Sequence, residues 1–373
     1  MCRKDQTVLL FKALYPQQTG GLEVYNYNLS KNLLTDEYPG IIMLSTYPPY
    51  VDNKRVFRVR SRIFGLTRWG LGMLSVFLSC IFSRHIQMRR WKTVMIPHTS
   101  NFDDNAWPVL LFSKLFGFNY TVHCHSGGKG REWKSPRQQV KLFKRASHVT
   151  AVSSQIIADY QERSGCKVEY WPPLVKCERA VLPKEDIKNK FRIPFDKVIL
   201  YVGSIKQLKS PGTLLKAFES LPDSFCEQHN LGVVMAGDGD LRGEMEEQYG
   251  ANSRIMFLGL VKNEDVKELY AIADLYVIPS WFEGTPLSLL EAMFNGVCCL
   301  GSDVEGINSI IKDGINGYLF PKEDCDTLCG LIQKCIGDEQ NAREIGAAAL
   351  CYYNQTYSYD KHLCQVLHYL DYK

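Results

Sequence analysis

Residues 279–291 read PSWFEGTPLSLLE. Two carboxylates, Glu283 and Glu291, stand eight positions apart, with Gly284-Thr285-Pro286 and then Leu287, Leu289 and Leu290 between them. A Gly and a Pro directly after Glu283 predict a tight loop. Proline is tolerated in the first turn of a helix, so a helix starting near Pro286 carries Glu291. The N–H groups of the loop and the positive end of the helix then face one spot, which favours an anionic group such as a diphosphate. Glu283 precedes the helix and Glu291 lies about a turn and a half inside it, so both can accept hydrogen bonds from hydroxyls on either side of the anion. A sugar nucleotide has that layout, with sugar, diphosphate and ribose in a row. The competing reading is a capped helix with two surface acids.

The flank favours the first reading. The run from Pro279 to Pro321, PSWFEGTPLSLLEAMFNGVCCLGSDVEGINSIIKDGINGYLFP, resembles the donor-binding signature of retaining GT-B glycosyltransferases, glycosyltransferase group 1 or family 4. The resemblance extends over most of the chain and is most specific in the C-terminal half. It implies that Glu283 contacts the transferred sugar and Glu291 the ribose. It also implies an α/β chain of the GT-B type, with two Rossmann-like, doubly wound parallel-sheet domains facing a cleft. The expected division is 1–175 as an N-terminal acceptor-binding domain, 176–355 as a nucleotide-sugar-binding domain, and 356–373 as a helix crossing back to the first domain.

Composition sets bounds. A chain of 373 residues has room for two or three domains, and 45% hydrophobic with 23% charged residues is ordinary for a globular protein. A net charge of +4 is too small to imply nucleic acid. The 13 cysteines include no CxxC pair, and with an N-terminal apolar run too short for a secretory signal they read as reduced thiols of a cytoplasmic protein.

The pattern of elements is that of α/β domains. Val8–Leu14 is a predicted strand, Gly20-Gly21 a loop, and Leu22, Tyr25, Leu29 and Leu33 recur at helical spacing. Thr93–Ile96, Tyr120–Cys124 and Val149–Val152 are further strand candidates. The proline-rich, charged segment Trp171–Pro194 reads as a linker with a helix inside. From Lys197 onward VILYVG, LGVVMAG, RIMFLG, DLYVIP and GVCCLGS predict strands alternating with helices, which gives a second parallel sheet. Tyr359, Leu363, Val366, Leu367 and Leu370 mark a final amphipathic helix.

Further site candidates follow. Gly203–Lys209, GSIKQLK, leaves a strand, and Lys209 is placed to neutralise a donor diphosphate and stabilise it as a leaving group. The resemblance pairs this lysine with an arginine directly after the glycine and often a glycine after the lysine; this chain has Ser204 and Ser210 there, with Lys206 as a substitute cation. Gly20 and Gly21 allow close backbone approach to the donor phosphate or acceptor. In YTVHCHSGGKG, His123 and His125 fall on one side of a strand end, and the resemblance places His125 near the sugar and acceptor. His98 ends another strand. Phe257 and Leu258 are candidates to pack on the base or in the core. GDGDL at Gly237–Leu241 reads as structural, Asp103-Asp104 as a helix cap, and VEGINSII at Val304–Ile311 departs from the family pattern at Asn308 and Ser309. The His-Cys-His run has no third ligand at metal spacing, so neither a metal nor a bound cofactor is expected.

Lys54–Lys92 holds ten Lys or Arg and no acid, around an uncharged run Trp69–Phe82 of 14 residues. That run is too short to span a bilayer, which takes about 20 residues. It reads either as a buried helix or as one lying at an anionic membrane surface. The expectation is a retaining hexosyltransferase working on a nucleotide sugar, UDP-linked, and a glycan or lipid-linked acceptor. It is cytoplasmic or peripheral on the inner face of the membrane, with no nucleic acid partner. A sugar-nucleotide epimerase would need first-domain carboxylates, and a phosphorylase a pyridoxal lysine and greater length. A non-catalytic binder is suggested by Ser204.

Overall fold

A computed structural model describes residues 5–11, 29–45, 53–58, 72–81, 86–98, 106–124, 136–174 and 176–372. The chain divides into two compact units, Met1–Leu174 with Asp360–Lys373, and Val175–Tyr359.

The first unit is built on a seven-stranded sheet: β1 (Gln6–Phe11), β2 (Ile41–Ser45), β3 (Val56–Arg58), β4 (Trp91–His98), β5 (Asn119–Cys124), β6 (His148–Ala151) and β7 (Glu169–Tyr170), in the order β3-β2-β1-β4-β5-β6-β7. Every pair is parallel. Alternation along the strands sends Val8, Leu10, Val94, Ile96, Tyr120 and Val122 to one face. There they pack against α2 (Gly72–Ile81), α3 (Ala106–Phe116), α4 (Pro136–Arg145) and α5 (Ser154–Ser164). The helix α1 is described over 29–33, with Leu29 and Leu33 fully buried.

The other face of this sheet is unusually rich in hydroxyls, with Thr7, Thr93, Thr121 and Thr150 buried. Thr93 and Thr121 receive the C-terminal helix α14 (Tyr359–Tyr369) and the residues after it. Thr121 Oγ1 donates to the Tyr369 carbonyl at 2.6 Å and Thr93 Oγ1 to Asp371 at 2.9 Å, while Tyr369 stacks on Trp171. The buried face of α14 holds His362, Val366 and Tyr369, and Leu370 just after it is buried too. This face is therefore less apolar than the stripe drawn from the sequence, because the sheet offers polar partners to it.

The apolar run offered to a membrane interface has a partner inside the unit. On α2, Val76, Phe77 and Cys80 are buried, and the Phe77 ring stacks on Phe112 with centroids 4.7 Å apart. The buried-helix reading describes these residues. No helix among the described residues is long and apolar enough to cross a membrane.

The second unit has six parallel strands: β8 (Lys197–Val202), β9 (Leu231–Ala236), β10 (Ile255–Gly259), β11 (Leu275–Ile278), β12 (Cys298–Ser302) and β13 (Tyr318–Phe320), in the order β10-β9-β8-β11-β12-β13. Both faces are covered, which explains why VILY in β8 is apolar without alternation. One face carries α7 (Pro211–Glu219), α9 (Arg242–Tyr249) and α12 (Cys325–Gly337); the other carries α6 (Lys184–Phe191), α10 (Asn263–Ile272), α11 (Leu287–Phe294) and α13 (Glu339–Thr356). Between α7 and β9 lies the short α8 (Asp223–Gln228). Two doubly wound, parallel-sheet Rossmann-like domains in one chain are the GT-B fold.

Candidate functional site

Strand order decides where the site lies. From β8 the chain winds outward through β9 and β10, then returns to β11 on the other side of β8. The loops leaving β8 and β11 are thus neighbours that turn to opposite faces of the sheet. The helix after β8, α7, packs Leu214, Leu215 and Phe218 into one core, and the helix after β11, α11, packs Leu289, Leu290 and Met293 into the other. Diverging loops at such a switch point leave a crevice at the carboxyl ends of the strands, where ligands of open α/β sheets bind. The two loops are tied together: the Trp281 N–H donates to the Leu208 carbonyl at 2.9 Å.

Lys209 and Glu283 meet there. Lys209, on the short 3-10 turn Gln207–Lys209, donates to both carboxylate oxygens of Glu283 at 2.6 and 2.7 Å. The buried Ser280 hydroxyl donates to Glu283 Oε1 at 2.7 Å. Ser210, which follows the lysine, has φ 44°, a left-handed conformation natural to the glycine often found there. Ser204 supplies no cation. Its carbonyl accepts from the Tyr201 hydroxyl at 2.9 Å, which pins the loop to the buried end of β8.

Glu291 sits on the fifth residue of α11, on the side opposite the buried Leu289, Ala292 and Met293. As the sequence indicated, the helix begins just after Pro286, at Leu287. Its first-turn N–H groups have no partners within the helix by geometry. The Tyr270 hydroxyl of α10 donates to Glu291 Oε2 at 3.1 Å. Burial pushes the Glu291 carboxyl up to about 7, and the Tyr270 hydrogen bond offsets only part of that rise. Around it lie Tyr353 and Cys177, whose hydroxyl and sulfur are 3.3 Å apart, and burial pushes the Cys177 thiol up to about 12. A carboxylate in such surroundings is poorly solvated and ready to accept hydrogen bonds from ligand hydroxyls.

Two glycines shape the crevice from outside the motif. A Cβ at Gly237, φ 154°, would stand 1.8 Å from the Gly203 carbonyl oxygen, so the GDGDL turn lies directly on the Gly203 loop. This agrees with its structural reading. A Cβ at Gly306, φ 89°, would stand 2.3 Å from the Glu283 carbonyl oxygen and 2.7 Å from that of Gly284. The VEGINSII stretch, left out of the site on sequence grounds, therefore supports the Glu283 loop through its glycine. A Cβ at Gly284 itself would meet open space.

Sequence reasoning missed Ser280, Tyr270 and Gly306. Ser280 and Gly306 lie inside the quoted motifs, but Tyr270 belongs to an ordinary amphipathic helix and carries no signal. Phe257 and Leu258 lie on the edge strand β10, each half-buried against a different core. His123 is fully buried, 2.9 Å from the Thr150 hydroxyl and with its ring against Trp171, a core role. His98 ends β4. Gly20, Gly21, His125 and Asp103-Asp104 lie outside the described residues. Among the described residues no three His, Cys, Asp or Glu side chains are grouped to hold a metal.

Comparison with known proteins fits this geometry. The family described as Glycosyltransferase Family 4 matches residues 19–179, and that described as Glycosyl transferases group 1 matches residues 183–350. Over 147 residues the chain is 35% identical to an uncharacterized glycosyltransferase of Methanocaldococcus jannaschii, a match covering 38% of this chain and 36% of the relative. Over 152 residues it is 32% identical to an alpha-1,4-N-acetyl-D-galactosaminyltransferase of Campylobacter jejuni, whose name gives a PP-undecaprenol-linked glycan as acceptor; that match covers 40% of this chain and 41% of the relative. The matches thus span less than half the length of these curated relatives. The Anabaena protein HepE, solved in complex with UDP, shares the fold with a TM-score of 0.75 at 16% identity, over 98% of this chain and 99% of that one. With both halves matched, one to each family, and both domains of the same fold, the chain belongs to the group 1 glycosyltransferases.

Proposed function

We propose that this chain transfers a sugar from a UDP-linked donor to a hydroxyl of a glycan or lipid-linked sugar, with retention of anomeric configuration. The second domain binds the donor and the first the acceptor. The observation that carries the reading is the meeting of Lys209, Glu283 and Ser280 beside the N-terminus of α11 at the β8/β11 switch point, with Glu291 one turn further along.

Lys209 and Glu283 neutralise each other. The entering diphosphate takes over Lys209 and the first-turn amides of α11, at Leu287 and beside Thr285 and Gly284. Glu283, released from the lysine and still held by Ser280, accepts from hydroxyls of the transferred sugar. Glu291 accepts from the ribose hydroxyls. Gly203 gives the backbone room beside the phosphates; for Gly20 and Gly21 the resemblance supports a role toward the donor phosphate or the acceptor, and for His125 one toward the sugar and acceptor. The bond from the anomeric carbon to the diphosphate oxygen breaks as the acceptor oxygen bonds to the same face. The acceptor proton passes to the departing phosphate oxygen. Lys209 and the helix amides stabilise the growing negative charge, so no metal is assigned a step.

A second reading, binding of a nucleotide sugar without turnover, is favoured by Ser204 in place of the expected arginine. A thermal-shift screen with UDP, UDP-hexoses and other nucleotide sugars tests the donor site, since a bound donor raises stability by mass action. Release of UDP from the sugar that shifts best then separates the two readings. The anomeric configuration of the product, read by NMR, tests retention. No shift with any nucleotide sugar would refute both.

A further inference from the structure

Helix α3 exposes a ridge of large apolar side chains. Trp107, Leu111 and Leu115, spaced four apart, are 37%, 43% and 66% exposed, while Val109 and Phe112 on the opposite side are buried. Such a row on one helix of a soluble unit marks a contact surface rather than a scattered apolar residue. Ile81, at the end of the neighbouring helix α2, is 46% exposed.

The other neighbour, α4, supplies charge. It packs against α3, buries Gln139, Leu142 and Phe143, and exposes Arg137, Lys141, Lys144 and Arg145 on its outer side. Neither α3 nor α4 contains an acid, and Lys114 on α3 adds a cation beside the ridge. Among the described residues, the next acids along the chain are on α5, where Asp159 is paired with Arg163 and Glu162 is exposed. An apolar ridge on one helix, with four exposed cations on the helix packed beside it, fits an anionic bilayer surface. The tryptophan and leucines enter the headgroup boundary, and the long basic side chains reach the phosphates. A nucleic acid would use the cations but leave Leu111 and Leu115 without purpose.

We infer that the α3–α4 face of the first domain docks on anionic phospholipid. The inference takes its purpose from the lipid-linked acceptor proposed above and its support from these side chains. It places the membrane contact on α3 and α4 rather than on α2, whose Val76, Phe77 and Cys80 serve the core.

The full chain is floated with vesicles of phosphatidylcholine alone or mixed with phosphatidylglycerol, at low and high salt. Binding to the mixed vesicles only, weakened by salt, is expected. Each cation removed should lower the partition constant about fivefold, so Lys141→Ser with Lys144→Ser should lower it on the order of twentyfold. Leu111→Ser with Leu115→Ser should abolish binding that survives high salt. All four side chains are exposed, and unchanged thermal unfolding shows that the variants fold. Equal flotation with both vesicle types, or variants that bind like wild type, would overturn the inference. So would loss of binding through Arg89→Ser alone with α3 and α4 intact, or salt-sensitive capture of nucleic acid without vesicle binding. UDP release with a soluble sugar acceptor is measured separately without vesicles. Turnover without vesicle binding sinks this inference alone; vesicle binding without turnover sinks the catalytic reading alone.

Discussion

Replacing Glu291 by Gln should stabilise the protein without UDP at alkaline pH while weakening its donor site. Burial holds the Glu291 carboxyl at about 7 in the folded chain, against about 4.5 when solvated. The folded state therefore binds the proton more tightly than the unfolded chain. Relative to a neutral group, ionised Glu291 costs the fold about 3 kcal/mol once pH exceeds 7. At pH 5 the cost is below about 1 kcal/mol, because the folded carboxyl is already protonated. The favourable contribution of the raised carboxyl is thus complete below about pH 4.5 and lost as pH rises through 7. The side chain keeps some contact with solvent, so we expect a net difference of about 2 kcal/mol between pH 8 and pH 5. For a domain of this size that is a Tm increment larger by about 4–8 °C at pH 8. Added UDP should raise the wild-type Tm by more than it raises the variant's. Calorimetry should show UDP affinity lower by ten- to a hundredfold, the loss of a charged hydrogen bond of about 1.5–3 kcal/mol. A Tm increment that is equal at pH 5 and pH 8, or unchanged UDP affinity, would refute the reasoning.

The remaining expectations concern the groups around this carboxylate and its partner loop. Lys209→Ala should lower turnover by about a hundred- to a thousandfold, the range for removing one preorganised charge from a transition state. Its stability cost should stay near 1–3 kcal/mol for the lost partner of Glu283; near-normal turnover in Lys209→Ala with none in Lys206→Ala would move the phosphate contact to Lys206. Ser204→Arg should tighten UDP binding if serine there has removed a phosphate contact, and calorimetry showing no gain counts against that. Tyr270→Phe removes the one hydroxyl that donates to Glu291 Oε2, so the carboxyl should rise further and the decline of donor affinity with falling pH should begin at higher pH. KM should change with little effect on kcat; a fall in kcat alone would argue against a positioning role. Gly306→Ala should displace the Glu283 backbone and raise KM for the donor, and crystals showing an unmoved Glu283 carbonyl would contradict the contact drawn here.

Much of the second domain was legible in advance. Its strands are buried on both faces, so they stand out as short apolar runs, and proline at 286 announces the start of α11 before Leu287. The exposed, hydrophilic 3-10 turn at Lys209 was legible as a loop because it follows the apolar VILYV and precedes Pro211. The first domain was harder to read. Its sheet uses threonines and His123 on one face, which weakens the apolar signal; Thr93 and Thr121 are explained by hydroxyl contacts to the C-terminal segment, and His123 and Thr150 by their contact with each other.

Sequence by itself determined the two parallel-sheet domains, the loop-to-helix turn bearing Glu283 and Glu291, and the lysine loop, since each depends on local spacing and backbone preference. Only the tertiary structure decided what these groups touch. It joined Lys209 to Glu283 across 74 positions, set Tyr270 on Glu291, and laid Gly306 on the Glu283 backbone. It also buried one face of α2 and left the ridge of α3 exposed, though both helices are rich in apolar residues. The physical reason is the same in each case. Burial and ion pairing are set by which strands become neighbours in the sheet, and a parallel sheet brings together segments far apart in the chain that carry no local mark of their partners.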